Sequence, residues 1–353
     1  MSTEVPTFAS ATHEVADDDE LQQLCRDRGW TDGLPVVAPT PERVQRCLDW
    51  GLMTADQVIG VEQVKSRALT AEKVAINAVL AGCLPMDFPV VAAAVEAMCR
   101  TPFLVHGATA STGGCAVLVV VSGPVRRTLG MSAGHSALAG PDRASLAIGR
   151  AVRLVLRNLL DARPGDLDRS TLGHPGKFSW CMSEDEEGGA PWIPFGTERG
   201  VPDGVSSVTV FAASGPRQIM NEWTTDPTEI LATVAAEMRA VMLHYSIWPG
   251  NYAVVFPPQL RAAFHTAGWT KAAVREWLFD HATVTRGDWE AVGKSAVVSA
   301  DNRDRRYRAL PTPDHLLVLS AGGDAGGFAA VIPPWLGPKS AAVTVPIGAC
   351  VDC

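Results

Sequence analysis

The chain has 353 residues, 47% of them hydrophobic and 19% charged, with a net charge of −8. That is enough chain for one large core or two closely packed lobes. An acidic chain with no dense Lys/Arg run is a poor partner for nucleic acid or an anionic membrane, though a local basic pocket stays open to it.

Residues 1–17 are polar and acidic and read as a disordered tail; they carry neither the basic start and apolar stretch of a secretory signal nor the arginines of a transit peptide. Helices are predicted over Asp18–Arg28, from the Thr40-Pro41-Glu42 cap, from Thr70 to Ala81 and over Asp87–Cys99. Phe103–His106 reads as a short strand. Cys115–Val121 is a β-branched run typical of a strand buried on both faces. Pro141–Leu160 has the best helical pattern, with Ala144, Ile148, Ala151, Val152, Val155 and Leu159 on one face. Lys177–Met182 and Ser207–Ala212 are predicted strands, Pro227–Leu243 a helix and Tyr252–Phe256 a strand. Helices follow over Pro258–Ala267 and Thr270–His281, then a loop over 283–312, then strands Leu316–Ser320, Phe328–Ile332 and Ala341–Val345. No apolar run reaches bilayer length: Ala116–Val121 stops at Ser122-Gly123-Pro124, and Pro89–Val95 meets Glu96. The expectation is an α/β or α+β chain with mixed sheets flanked by helices, located in the cytoplasm. Its lobes would span 18–185 and 205–346, divided by the Gly/Pro-rich stretch 183–204, and residues 347–353 would form a tail.

Reactive residue types gather between His106 and Glu187 beside glycines. His106, His135 and His174 are candidate ligands for a transition metal, zinc, iron or copper, since three protein ligands leave a position open for water or substrate. Their spacing matches no short metal motif, and the plainer reading is that one or more of these imidazoles simply caps or hydrogen-bonds a loop. Cys115 is either a nucleophile beside a histidine or a core thiol. Lys177, in Gly173-His174-Pro175-Gly176-Lys177, is a candidate for a Schiff base or for holding an anion; the alternative is a surface lysine. Glu184 is a candidate ligand or general base, whereas Asp185 and Glu187 read as a solvated acidic loop. Ser111-Thr112-Gly113-Gly114 and Gly322–Gly327 fail as nucleotide fingerprints, so no nucleotide cofactor is expected.

Of the eight cysteines, Cys25, Cys47, Cys83 and Cys99 lie in helical patterns and read as small buried hydrophobes. Cys350 and Cys353 form a C-x-x-C pair, able to cycle through a disulfide or to give two thiolates to a metal.

Asp32-Gly-Leu-Pro-Val-Val-Ala-Pro-Thr40, Leu69-Thr-Ala-Glu-Lys-Val-Ala-Ile-Asn77, Ala81-Gly-Cys-Leu-Pro85 and Gly173–Lys177 resemble a bacterial family labelled UGSC-like and related to selenoproteins. The resemblance spans most of residues 30–345 and takes in Arg163–Arg169 and the Cys181…Glu184–Glu187 segment. The family label refers to a selenocysteine- or cysteine-containing motif, which implies thiol or selenol chemistry. This chain contains no Cys-Gly-Ser-Cys, and Cys350-Val-Asp-Cys353 departs from that pattern.

The expected function is an enzyme acting on a small polar metabolite, carboxylate or sulfur-containing. It would use the histidine site, with Cys115, Lys177 and Glu184 nearby and Cys350/Cys353 as relay or sulfur carrier. Two alternatives stand beside it: a metal-free thiol oxidoreductase or sulfur-transfer enzyme, and a non-catalytic metal-delivery protein. A homodimer is compatible with the composition.

Overall fold

In chain order the strands are β1 (Val58–Glu62), β2 (Arg67–Thr70), β3 (Ala116–Ser122), β4 (Cys181–Ser183), β5 (Ser207–Ala213) and β6 (Arg217–Met220). They continue with β7 (Tyr252–Phe256), β8 (Thr283–Val284), β9 (Tyr307–Arg308), β10 (Leu316–Ser320), β11 (Phe328–Ile332) and β12 (Val343–Pro346). This computed structural model describes residues 8–335 and 340–348.

Two four-stranded sheets dominate, ordered β12-β5-β3-β4 and β10-β7-β11-β6. Their alternating side chains explain the layering. Leu118, Val120, Phe211 and Ala213 of the first sheet share one core with Ala253, Val255, Leu317, Leu319, Ala330 and Ile332 of the second. Val119, Val121, Val208 and Val210 point the other way, into a core with helices Ala71–Ala81, Phe88–Cys99 and Arg143–Leu159. Tyr252, Val254, Leu316, Val318 and Val331 do the same against helices Pro227–His244, Pro258–Thr266 and Lys271–His281. The molecule is therefore layered helix, sheet, sheet, helix, and the α/β class expected from sequence is what forms.

The two sheets share a connection scheme. In each, a parallel pair joined through helices (β3/β4, β7/β10) is followed by an antiparallel strand beside the first of the pair (β5, β11). The fourth strands are exchanged: β6 follows β5 in the chain but pairs with β11, and β12 follows β11 but pairs with β5. The backbone crosses between sheets at Ala213, which bridges Pro334, with Ser214 N–H donating to the Pro333 carbonyl at 2.9 Å. The division at 183–204 therefore does not separate two sheets: β5 and β12 lie beyond it and belong to the first. Local sequence shows strands but not which sheet will accept them, and the exchange is decided by pairing across more than 100 residues.

Three further local expectations are corrected. Phe103–His106 is not a strand; Val105 and His106 open helix Val105–Ala110 after Leu104, whose φ is +60°. Four apolar or aromatic residues are too few for periodicity to separate helix from strand. Lys177 belongs to a 3-10 turn with Pro175 and Gly176, and the strand starts only at Cys181. The 283–312 segment holds β8, β9 and helix Arg286–Ala291, whose Thr285/Asp288 capping box fixes its start.

The halves are clasped where β4 ends. Glu184 is 1% exposed; its Oε1 lies 2.8 Å from Lys271 Nζ and accepts from Ser320 N–H, and its Oε2 accepts from Phe195 N–H. Beside it, Asp185 N–H donates to the Ser320 carbonyl at 2.7 Å and its carboxylate meets Arg261, itself 1% exposed. Removing one partner of a buried pair strands the other charge, at about 3–5 kcal/mol. Lys271→Met should lose that much in urea denaturation, and adding Glu184→Gln should restore part of it. A loss below about 1 kcal/mol for the single change would show that the pair does not hold the halves together.

Candidate functional site

At the amino end of β3, Cys115 is 4% exposed and its thiol donates to the Ala108 carbonyl at 3.2 Å. Burial pushes that thiol up to about 12, against the opposing effect of Lys177. It lies in the helix-side core, bonded to a backbone carbonyl and not to a histidine. Lys177 Nζ is 2.9 Å from Asp168 Oδ2 and 2.7 Å from Ser170 Oγ, so its charge is used inside the protein. Burial alone would raise the Asp168 carboxyl, but hydrogen bonds from Ser170 and Lys177 outweigh it and hold the group below its ordinary value. Ala108, Cys115, Gly149, Arg153, Gly176 and Lys177 are among the residues lining a small open pocket of about 30 Å³, room for about one water.

The three histidines go to separate partners. His174 Nδ1 accepts from Gly176 N–H at 3.2 Å, so Nε2 carries the hydrogen toward the Ala213 carbonyl, also at 3.2 Å. Both ring nitrogens are thereby occupied, and burial lowers the imidazole below its usual value. His106 Nδ1 faces Glu62 at 3.6 Å, and His135, 75% exposed, faces Asp324 at 3.3 Å. Among the described residues no group of three or more His, Cys, Asp or Glu side chains is placed to hold a metal ion. The rings expected to share one metal are thus not brought together, because each loop finds a nearer partner for its imidazole. Glu184 is spoken for by Lys271 and two backbone N–H groups; burial raises its carboxyl while Lys271 opposes the rise. Glu187 is exposed, as the solvated reading has it, though it meets Arg126 at 3.1 Å and Arg127 at 2.6 Å; Asp185 departs from that reading, since it holds the buried Arg261. Cys350 and Cys353 lie outside the described residues.

The larger opening is at the other end of β3. A cleft of about 200 Å³ is lined by Ser122, Gly123, Pro124, Arg127, Glu186, Pro194, Gly196, Thr197, Asp203, Gly204 and Val205. It sits past the carboxyl ends of the parallel pair β3 and β4, where open α/β sheets present their ligand crevices. Its turn is tightly built. Gly123 has φ +89°, a conformation that favours glycine, and a Cβ there would fall 2.6 Å from Ser206 Cα. Gly123 N–H donates to Glu186, and Arg126, 4% exposed, holds the Gly123 and Glu184 carbonyls together with Glu186. Under the cleft, Ser122 and Ser207 face each other across β3 and β5, and neither hydroxyl has a hydrogen-bond partner among the described residues. Gly196 closes over them: a Cβ there would lie 2.7 Å from Ser207 Oγ. As sequence, Ser122-Gly123-Pro124 only interrupts an apolar run. Its one signal is a strand end followed by Gly, Pro and two arginines.

No family model matches the chain, and neither does any curated protein. Fold and site together define an α/β protein with a polar cleft at the carboxyl ends of a parallel strand pair. No helix among the described residues is long and apolar enough to cross a membrane.

Two outcomes test the amino-end assignments. With burial holding Cys47, Cys99 and Cys115 near 12, iodoacetamide at pH 8 should leave these thiols unlabelled in the native protein, as read by peptide mass spectrometry. Labelling of Cys115 within minutes would restore it as a nucleophile. Because Asp168 ionises below its usual range in the fold, its contribution is full above about pH 5 and fades as pH falls through the folded value. The stability gap between wild type and Asp168→Asn should therefore narrow toward about pH 3, and a gap that stays constant would remove the Asp168 ion pair from the account.

Proposed function

We propose that the chain is a cytoplasmic thiol oxidoreductase or sulfur-transfer enzyme. Its Cys350/Cys353 pair acts on a small polar, sulfur-containing metabolite in the Ser122 cleft. One observation carries this reading. β12 pairs with β5 so that Pro346 lies opposite Ser207, and Ile347 N–H donates to the Ser206 carbonyl at 2.8 Å. The described chain thus ends one residue past Ile347, which is bonded to Ser206, the chain neighbour of the cleft residue Val205. Cys350 and Cys353 follow two and five residues later, a maximum reach of about 7 and 18 Å. The resemblance to UGSC-like proteins points toward the same thiol chemistry.

The step is a thiol–disulfide exchange. One cysteine thiolate attacks a sulfur of a small disulfide, forming a mixed disulfide and releasing the other half as a thiol after protonation. The second cysteine then displaces the remaining half, so two electrons pass from the dithiol to the substrate and the pair ends as a disulfide. Asp203, in no ion pair among the described residues, and Arg127, exposed and shared with Glu187, give the cleft charges of both signs, which suits a zwitterionic substrate carrying carboxylate and ammonium groups.

Cystine is the probe. Its reduction, coupled to a dithiol reductant, should fall at least about 100-fold in Cys350→Ser and in Cys353→Ser, and a Cys350–Cys353 disulfide should appear by mass spectrometry after oxidation. Thr197→Trp, at the cleft wall, should raise KM. Wild-type rates in both serine variants would overturn the reading. So would stoichiometric zinc, iron or copper that is lost only when both cysteines are replaced.

A further inference from the structure

Helix Arg143–Leu159 carries a row of arginines, Arg150, Arg153 and Arg157. Arg153 and Arg157 are four residues apart and share a face. Arg163 follows the helix and lays its guanidinium over Gly29, where a Cβ would lie 3.6 Å from Cζ. Three carboxylates of this region are already engaged. Asp32 is held by Arg150 at 2.8 Å, Asp161 by Arg67 at 2.5 Å, and Asp168 by Lys177 at 2.9 Å and Arg153 at 3.3 Å. What remains is an excess of positive charge in a chain of net charge −8. Arg157 Nε and Arg163 Nε are both buried and have no hydrogen-bond partner among the described residues. Burial, together with the charges of Arg153 and Arg163, holds the Arg157 guanidinium below its ordinary value. A buried donor without an acceptor is costly, and one beside like charges is more so.

We propose that Arg153, Arg157 and Arg163 form a binding site for an oxyanion, the phosphate or carboxylate group of a small acidic molecule. An oxyanion supplies what the site lacks: acceptors for two forked guanidinium groups and the countercharge for the row. Arg153 also borders the small pocket beside Cys115, but that pocket has room for about one water and is lined by neither Arg157 nor Arg163, so the anion would lie outside it. None of the three arginines lines the Ser122 cleft, so this site stands or falls apart from the thiol reading.

Isothermal titration with inorganic phosphate and, separately, with succinate distinguishes the two sources of the anion. At least one should bind wild type. That binding should weaken roughly tenfold or more in Arg157→Gln and in Arg163→Gln, while Arg239→Gln, an exposed arginine on helix Pro227–His244, keeps wild-type affinity. Arg157→Lys keeps the charge but loses the fork, and should fall between wild type and Arg157→Gln. Thermal unfolding in low-salt, anion-free buffer provides a second reading: Arg157→Gln should melt no lower than wild type, because relieving like-charge contact offsets the lost packing. Equal affinity in wild type and both glutamine variants, or no binding of either anion below about 10 mM, would overturn the site. A lower melting point for Arg157→Gln without loss of anion affinity would assign the arginine to packing alone and overturn it as well.

Discussion

Glu184 and Lys271 are almost entirely removed from water, and either charge buried alone would cost several kcal/mol. Their contact, with backbone N–H groups of Phe195 and Ser320 completing the carboxylate's shell, sits where β4 ends and the second half begins. Each neighbouring element depends on it. Glu198 takes Arg275 at 2.8 Å and stands 3.5 Å from Lys271, and Arg261 reaches Asp185 from the next helix. The segment leaving β4 cannot swing away without exposing these charges unpaired. The same segment supplies Glu186, Pro194, Gly196 and Thr197 to the cleft, so the clasp between the halves also fixes one wall of the site.

The exchanged edge strands act in the same direction. Neither sheet is complete without a strand that belongs, by connection, to the other half. Backbone pairing therefore couples the halves along β5 and β11, while the ion pairs couple them at β4 and β10. β12 has a further consequence. Because it runs antiparallel to β5, it delivers Ile347 to Ser206, the chain neighbour of the cleft residue Val205.

Much of the element pattern was legible. The β3 run, the Arg143–Leu159 helix, the Pro227–His244 helix and the Leu316–Ser320 strand all follow from periodicity and caps, because local burial alone dictates them. The β1/β2 hairpin and β6 were not, since these short strands are largely unburied and form only by pairing. Of the candidate site residues, chemistry was recognised but not allegiance. His174, Lys177 and Glu184 are each engaged, but with Ala213, Asp168 and Lys271, which lie 39, 9 and 87 residues away in the chain. Apart from Lys177 with Asp168, such partners leave no trace in local spacing.

The sequence by itself determined the α/β class, the principal helices and strands, and the set of reactive residues, because those depend on local propensity and on which faces are apolar. Tertiary structure alone decided that β6 and β12 change sheets, that the three imidazoles find separate partners, and that the open cleft lies at Ser122 rather than beside Cys115. Each of these turns on residues far apart in the chain competing for one hydrogen bond or one countercharge. The winner of such a competition is set by distance in the folded molecule and not by spacing along the chain.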